Sequence, residues 1–277
     1  VTGRPPNPRD TPPPRSRSGW FKRLRVTFLL IVLFVVASST WLDHYRATRW
    51  HDPLYVAIYP IAADSSPVTR EYVAGLDAGR FQAIDAFFAR EGARHRLGEA
   101  EPVRTRLRPV LEEPPPQRAA DAGILGTVWW SLRLRYWTMR TSGRTRDPED
   151  IRMFVLYHDP ALTPTVPHSL GLTKGLIGIV YAFATPRMDG ANDIVIAHEL
   201  LHTLGATDKY DFGTDAPRFP DGYGDPRQLP LYPQRKLELM AGRRMLAADR
   251  WEQGESLDEV VIGNASAREI RWPDAPP

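Results

Sequence analysis

The chain of 277 residues has no cysteine. That absence excludes disulfide frameworks, thiolate zinc clusters and a cysteine nucleophile, so any transition metal must be held by His, Asp or Glu. No internal repeat is visible. Acidic residues are almost missing from the first 25 positions, where Asp10 stands alone against Arg4, Arg9, Arg15, Arg17, Lys22, Arg23 and Arg25. The formal charge of +3 therefore comes from a basic arm on a mildly acidic body, and no nucleic-acid partner is expected. From Val26 to Leu42, "VTFLLIVLFVVASSTWL", charge is missing altogether.

This uncharged run reads as a membrane span. Lys22, Arg23 and Arg25 precede it and Trp20 and Trp41 bracket it. As a helix, the stretch between the two tryptophans covers roughly 31 Å, close to a bilayer core. The expected order is a disordered basic cytoplasmic arm (1–25), a transmembrane signal anchor (26–42), a juxtamembrane connector (43–52) and a folded extracytoplasmic domain (53–277). A signal peptide cleaved near "VASS" is the competing reading. A buried core helix is disfavoured, because no polar face interrupts the run.

With 42% hydrophobic residues the remainder can bury one sizeable core. "LYVAIYP" reads as a strand, and the stretch from Ser65 to Arg90 as a helix with a Ser cap, an early proline and Val73, Leu76, Ile84 and Phe87 at near-helical spacing. "VRTRLRPVL" is a weak strand. "GTVWWSLRLRYWTMR" alternates Trp130, Leu132, Leu134 and Tyr136 with polar residues, which predicts another strand. "IRMFVLYHD" and "GLIGIVYAFA" are apolar strands, and "ANDIVIAHELLHTLG" is a helix capped by Asn192 or Asp193. After a turn-rich stretch, "QRKLELMAGRRMLAADRW" is expected to be mostly helical.

The chemistry concentrates in "AHELLHTLGATDKYD", Ala197 to Asp211. Four residues apart on a helix, His198 and His202 leave one face a turn apart and can share a cation. Glu199 beside them suits the general base of a zinc hydrolase, taking a proton from a zinc-activated water and returning it to the leaving group. Ile194, Ala197, Leu201 and Leu204 lie on another face and can bury against the sheet. Gly205 can end the helix in the left-handed conformation, so that Asp208 swings back as third ligand. Asp211, Asp215 and Glu238 are alternative carboxylates, and a helix-borne Glu238 would imply a gluzincin arrangement.

The spacing HExxHxxGxxD resembles the metzincin clan of zinc peptidases, whose third ligand is usually histidine and is aspartate in the snapalysin-like branch. The resemblance implies Zn2+ held by His198, His202 and Asp208, catalysis by Glu199, and a peptide or protein substrate, here in the cell envelope. It also implies a methionine turn beneath the metal, for which Met240 is the candidate and Met245 the weaker one. An edge strand between Arg152 and Ala184 would take the extended substrate. The expected fold is α+β: a metzincin-like zincin domain with a mixed twisted sheet, a backing helix and an active-site helix, preceded by one transmembrane helix. The rival readings are a metal-stabilised binding or scaffolding protein without hydrolytic activity, and a hydrolase of some other envelope amide.

Further candidates carry weaker signals. Asp211, Asp215, Asp221 and Asp225 lie among glycines but lack a regular calcium-ligand spacing. His158 and His168 are candidates for the cleft wall, Tyr210 and Tyr223 for oxyanion donors. The pair Trp129 and Trp130 reads as core or sheet surface.

Overall fold

The central strands bury side chains on both faces, which is why their sequences run as near-continuous apolar stretches. In the computed structural model, which describes residues 18–119, 123–142, 147, 149–173 and 175–275, these strands are β1 (Leu54–Ala62), β2 (Val103–Leu107), β3 (Ile151–His158), β4 (Leu170–Leu172) and β5 (Ile177–Phe183). Their order is β2-β1-β3-β5-β4. All neighbours pair in parallel except β4, which lies antiparallel at the edge beside β5. The helices are α1 (Ser18–Ala47), α2 (Pro67–Ala74), α3 (Gln82–Arg94), α4 (Ile124–Thr141), α5 (Asp189–Leu204) and α6 (Asn264–Glu269). The fold is therefore α+β around a mixed sheet.

Side chains alternate between two cores with the two-residue period of a strand. Val56, Ile58, Met153, Val155, Tyr157 and Val180 face one core, shared with α3, α5 and the C-terminal segment. Ala57, Tyr59, Ile61, Phe154, Leu156, Ile177 and Ile179 face the other, which α4 covers with Leu134 and Trp137. The Trp137 ring meets Phe154 edge-on at 4.7 Å.

The predicted backing helix is present but broken. Ser66 Oγ accepts the N–H of Val68 and Pro67 opens α2. The chain then bends at Gly75, and Asp77 caps a short 3-10 turn before α3 continues. Val73, Ile84 and Phe87 are buried as their spacing implies. The expected caps of α5 are corrected: the helix starts at Asp189, three residues before Asn192. Asn192 instead exchanges two hydrogen bonds with the backbone of Phe183, at 3.0 and 2.9 Å, and Asp193 accepts from Arg80 at 2.8 Å.

Two further expectations are overturned. The stretch around Trp130 to Tyr136 is the helix α4, not a strand. Every second residue of a helix advances by about 200°, so alternating apolar positions fall on two opposite faces instead of one. The expected helix over residues 234–251 is replaced by β6 (Leu237–Glu238), a turn, and the hairpin β7 (Arg243–Ala247) with β8 (Arg250–Gln253). Gly242, at φ 66°, interrupts any helix there. Arg243 then lays its guanidinium over Trp251 at 4.8 Å and Tyr210 at 5.1 Å. A last strand, β9 (Val260–Val261), pairs in parallel with β6.

The chain divides into two compact units, residues 1–42 and 43–277. In the second, Ala47, Thr48 and Trp50 of the connecting segment are buried, and Trp50 Nε1 donates to the carbonyl of Ile270 at 2.7 Å. The first unit contains most of α1, which exposes Trp20, Phe21, Leu24, Phe28, Leu30, Ile31 and Phe34. Among the described residues no helix is long and apolar enough to cross a membrane. Most of the expected basic arm lies outside the described residues, as does the Trp41 side chain.

Candidate metal centre

Helix α5 is anchored before it presents any chemistry. Ile194, Ala197, Leu201 and Leu204 are buried, as their spacing predicts, and Ile196 and Leu200 are buried too. His198 and His202 remain partly exposed one turn apart, with ring centroids 4.6 Å from each other.

Hydrogen bonds fix the ring orientation of both histidines. Nδ1 of His198 lies 2.9 Å from the carbonyl oxygen of Leu239, and Nδ1 of His202 lies 2.8 Å from that of Ala206. A carbonyl oxygen can only accept, so each Nδ1 carries a proton. In the neutral rings the Nε2 lone pairs then point elsewhere, and both point at one atom: Asp208 Oδ1 is 3.2 Å from His198 Nε2 and 3.2 Å from His202 Nε2. Among the described residues these three are the one group of His, Asp or Glu side chains whose ligand atoms converge, all within 4.8 Å of one another. Tetrahedral zinc with bonds of about 2.0–2.1 Å sets its ligand atoms about 3.3 Å apart, so the donor set and the two 3.2 Å separations to Asp208 fit this ion.

Local geometry delivers Asp208. Gly205 takes φ 105°, and the N–H of Ala206 reaches back to the carbonyl of Leu201 at 3.0 Å, closing the helix and reversing the chain. The loop is then clamped on both sides of the ligand. Thr207 donates its N–H to Glu269 at 2.8 Å, and Lys209 Nζ donates to Glu269 at 2.7 Å and to the Thr207 carbonyl at 2.7 Å. Arg218 Nη2 donates to the Asp208 carbonyl at 2.8 Å. Burial pushes the Asp208 carboxyl up, but the two imidazoles outweigh it and hold the group well below the usual carboxylate range. Burial likewise disfavours the imidazolium of His202, yet Asp208 and Glu199 raise its pKa overall. The site thus favours added positive charge.

Met240 is fully buried in a turn, where the Gly242 N–H donates to the Glu238 carbonyl at 2.9 Å. The residue before it supplies the carbonyl that orients His198. Met245 lies instead in β7. Glu238 braces this turn: it is buried and accepts from Ser266 Oγ at 2.7 Å, Ala241 N–H at 2.9 Å and Gly263 N–H at 3.1 Å. It is therefore not brought to the histidines. Asp211 is taken up by an exposed turn with Gly213 and Thr214, and Asp215 pairs with Arg243 at 3.3 Å.

Glu199 is 5% exposed, and its Oε2 is buried with no hydrogen-bond partner among the described residues. Burial pushes its carboxyl up against the pull of His198 and His202. The strand β4 passes directly over it. A Cβ on Gly171 would lie 2.4 Å from the Glu199 carbonyl oxygen and 2.5 Å from His202 Cβ. Thr173 ties the same segment to α5 by donating to the His202 carbonyl at 2.9 Å.

Gly171, Glu269 and the Leu239 carbonyl were not legible as site components. Of the tyrosines, Tyr210 lies near enough for Asp208 and Glu199, after burial, to raise its pKa. Tyr223 bonds Tyr232 at 3.0 Å instead. His158 packs by Tyr181 with its rings 6.0 Å apart, and His168 is exposed. Neither joins the converging group, nor do Asp221 and Asp225. Trp129 is exposed, whereas Trp130 is half-buried and donates to the Pro116 carbonyl at 2.7 Å. No known family profile matches the chain, and no curated protein sequence matches it.

Proposed function

We propose that this chain is a membrane-anchored zinc metallopeptidase of metzincin-like build, with its folded unit outside the cytoplasmic membrane. One observation carries the reading: two imidazole nitrogens, which in the neutral rings are the proton-free positions because the opposite nitrogens face backbone carbonyls, lie 3.2 Å each from a single carboxylate oxygen. Three lone-pair atoms so close repel one another unless positive charge lies among them. His198, His202 and Asp208 are the residues that hold the ion. Zinc supplies Lewis acidity there, polarising the scissile carbonyl and acidifying a water.

The protein's own work then falls to Glu199 and β4. Glu199 Oε2, which spends no hydrogen bond on its neighbours, takes the proton of the attacking water and passes it to the leaving amine. The antiparallel edge strand β4 offers main-chain pairing to an extended peptide. The anchor reading rests on the sequence of the uncharged run from Val26 to Leu42, about half of whose side chains lie outside the described residues. The substrates are then envelope polypeptides.

The test uses the full chain purified in mild detergent. About one equivalent of zinc is expected, lost in His198→Ala, together with cleavage of a quenched peptide library that Glu199→Gln abolishes without loss of zinc. Absence of zinc from the wild type overturns the metal site. Zinc retained with no peptide cleaved assigns the site a structural role and overturns the peptidase.

A further inference from the structure

Helix α4 is apolar on two opposite sides. Leu134 and Trp137 face the sheet, whereas Leu125, Trp129, Leu132, Tyr136 and Met139 are between 54% and 85% exposed. At 100° per residue these five positions fall within about 80° of one another, so they form one stripe along the helix. Arg133 and Arg140 are exposed and border it on one flank. The helix has no Asp or Glu anywhere in its 18 residues.

We propose that α4 lies flat in the surface of an anionic phospholipid bilayer, its outer stripe sunk at the headgroup boundary and its arginines against the phosphates. Large apolar and aromatic residues on one side, flanked by cations, are what an interfacial helix requires. The charge of one sign selects the lipid. Two cations near such a surface, at about fivefold each, favour it over a zwitterionic one by roughly thirtyfold. A second copy of the chain fits worse, since pairing this helix with itself sets arginine against arginine. The proposal rests on the anchor reading for the tether that keeps α4 near lipid. It adds a second attachment on the face of the sheet opposite α5.

The missing cysteines make the experiment clean, because one introduced thiol is the sole labelling point. Leu132→Cys, Met139→Cys and, as control, the 90% exposed Leu229→Cys each receive an environment-sensitive fluorophore. The full-length variants are placed one per nanodisc, in anionic or zwitterionic lipid doped with nitroxide-bearing phospholipid. Severalfold quenching is expected at 132 and 139 in anionic discs and none at 229, with the effect reduced in zwitterionic discs and in Arg133→Glu/Arg140→Glu. Labels at 132 and 139 that the nitroxide lipid does not reach overturn the proposal, whether they sit in water or under protein. Quenching indifferent to lipid charge and to the arginine changes overturns the anionic surface. A chain that fails to enter discs, read by flotation, refutes the anchor separately. The same labels are then read on the soluble chain with anionic vesicles, where absence of quenching again overturns the role of α4.

Discussion

Replacing Gly171 by alanine tests whether β4 really presses against α5. The new Cβ would meet the Glu199 carbonyl oxygen at 2.4 Å and His202 Cβ at 2.5 Å, and neither neighbour is a flexible side-chain end. Relief requires a retreat of about half an ångström or more. Helix α5 is held by Leu200, Leu201 and Leu204, all fully buried, so the part that yields is β4, three residues paired to β5 on one side. Overpacking of this kind costs about 1–3 kcal/mol, which for a unit of this size lowers Tm by roughly 2–10 °C. The three proposed metal ligands lie on α5 and the loop after it, so zinc content should be unchanged. Peptide turnover should fall about a hundredfold, because the substrate edge moves relative to Glu199. The control is Gly213→Ala, whose Cβ would have as its nearest neighbour the exposed Asp211 Oδ1 at 3.3 Å, and which should leave both quantities alone. Calorimetry, zinc analysis and a fluorogenic peptide assay read the three effects. A Gly171→Ala protein with wild-type Tm and turnover refutes the close approach.

Asp208→Ala should weaken zinc binding by at least about a hundredfold while the fold persists, measured by competition with a chromogenic chelator. Removing zinc should lower Tm, and restoring it to about 100 times its Kd should return about 2.7 kcal/mol. The Lys209–Glu269 clamp predicts a pH dependence. Burial raises the Glu269 carboxyl, but Lys209 and Thr207 outweigh it and hold it below its ordinary value. The clamp therefore stabilises the fold above the unfolded carboxylate pKa of about 4.3, and that contribution is lost as pH falls through the lower folded value. Accordingly Lys209→Met should lower Tm clearly at neutral pH, with the gap to wild type shrinking below about pH 4. Trp137→Ala should cost about 3–5 kcal/mol in denaturant unfolding, and Trp129→Ala in the absence of lipid no more than about 0.5. The reverse ranking would mean that α4 is docked by its other face.

What the sequence revealed was local. His198, Glu199 and His202 could be placed because helical periodicity and the glycine stop at 205 act within a few residues of the motif. Chain reversal at that glycine favoured Asp208 but left Asp211, Asp215 and Glu238 open, and it is the folded loop that brings Asp208 to the histidines. Strand β4 was unreadable: three residues centred on a glycine have no periodicity, and what makes them a strand is β5 on one side and α5 above. Helix α4 was misread because alternation signals a strand when one face is buried, while a helix apolar on two opposite faces produces the same string. The stretch 234–251 has helix-favouring residues, but its conformation is decided by Gly242 and by the stacking of Arg243 on Trp251 and Tyr210. The Leu239 carbonyl leaves no trace in sequence, since any residue supplies one.

The Glu269 clamp sets an order of assembly. Its carboxylate lies 60 residues beyond Lys209, with β6 to β9 in between. A nascent chain that has just emitted its histidines and aspartate still lacks the carboxylate that ties Thr207 to Lys209. If the proposed hydrolytic function holds, a centre finished only when distant downstream residues arrive cannot attack its own unfolded precursor during synthesis, and a chain cut before Glu269 would keep every motif residue while losing the grip that makes them act together.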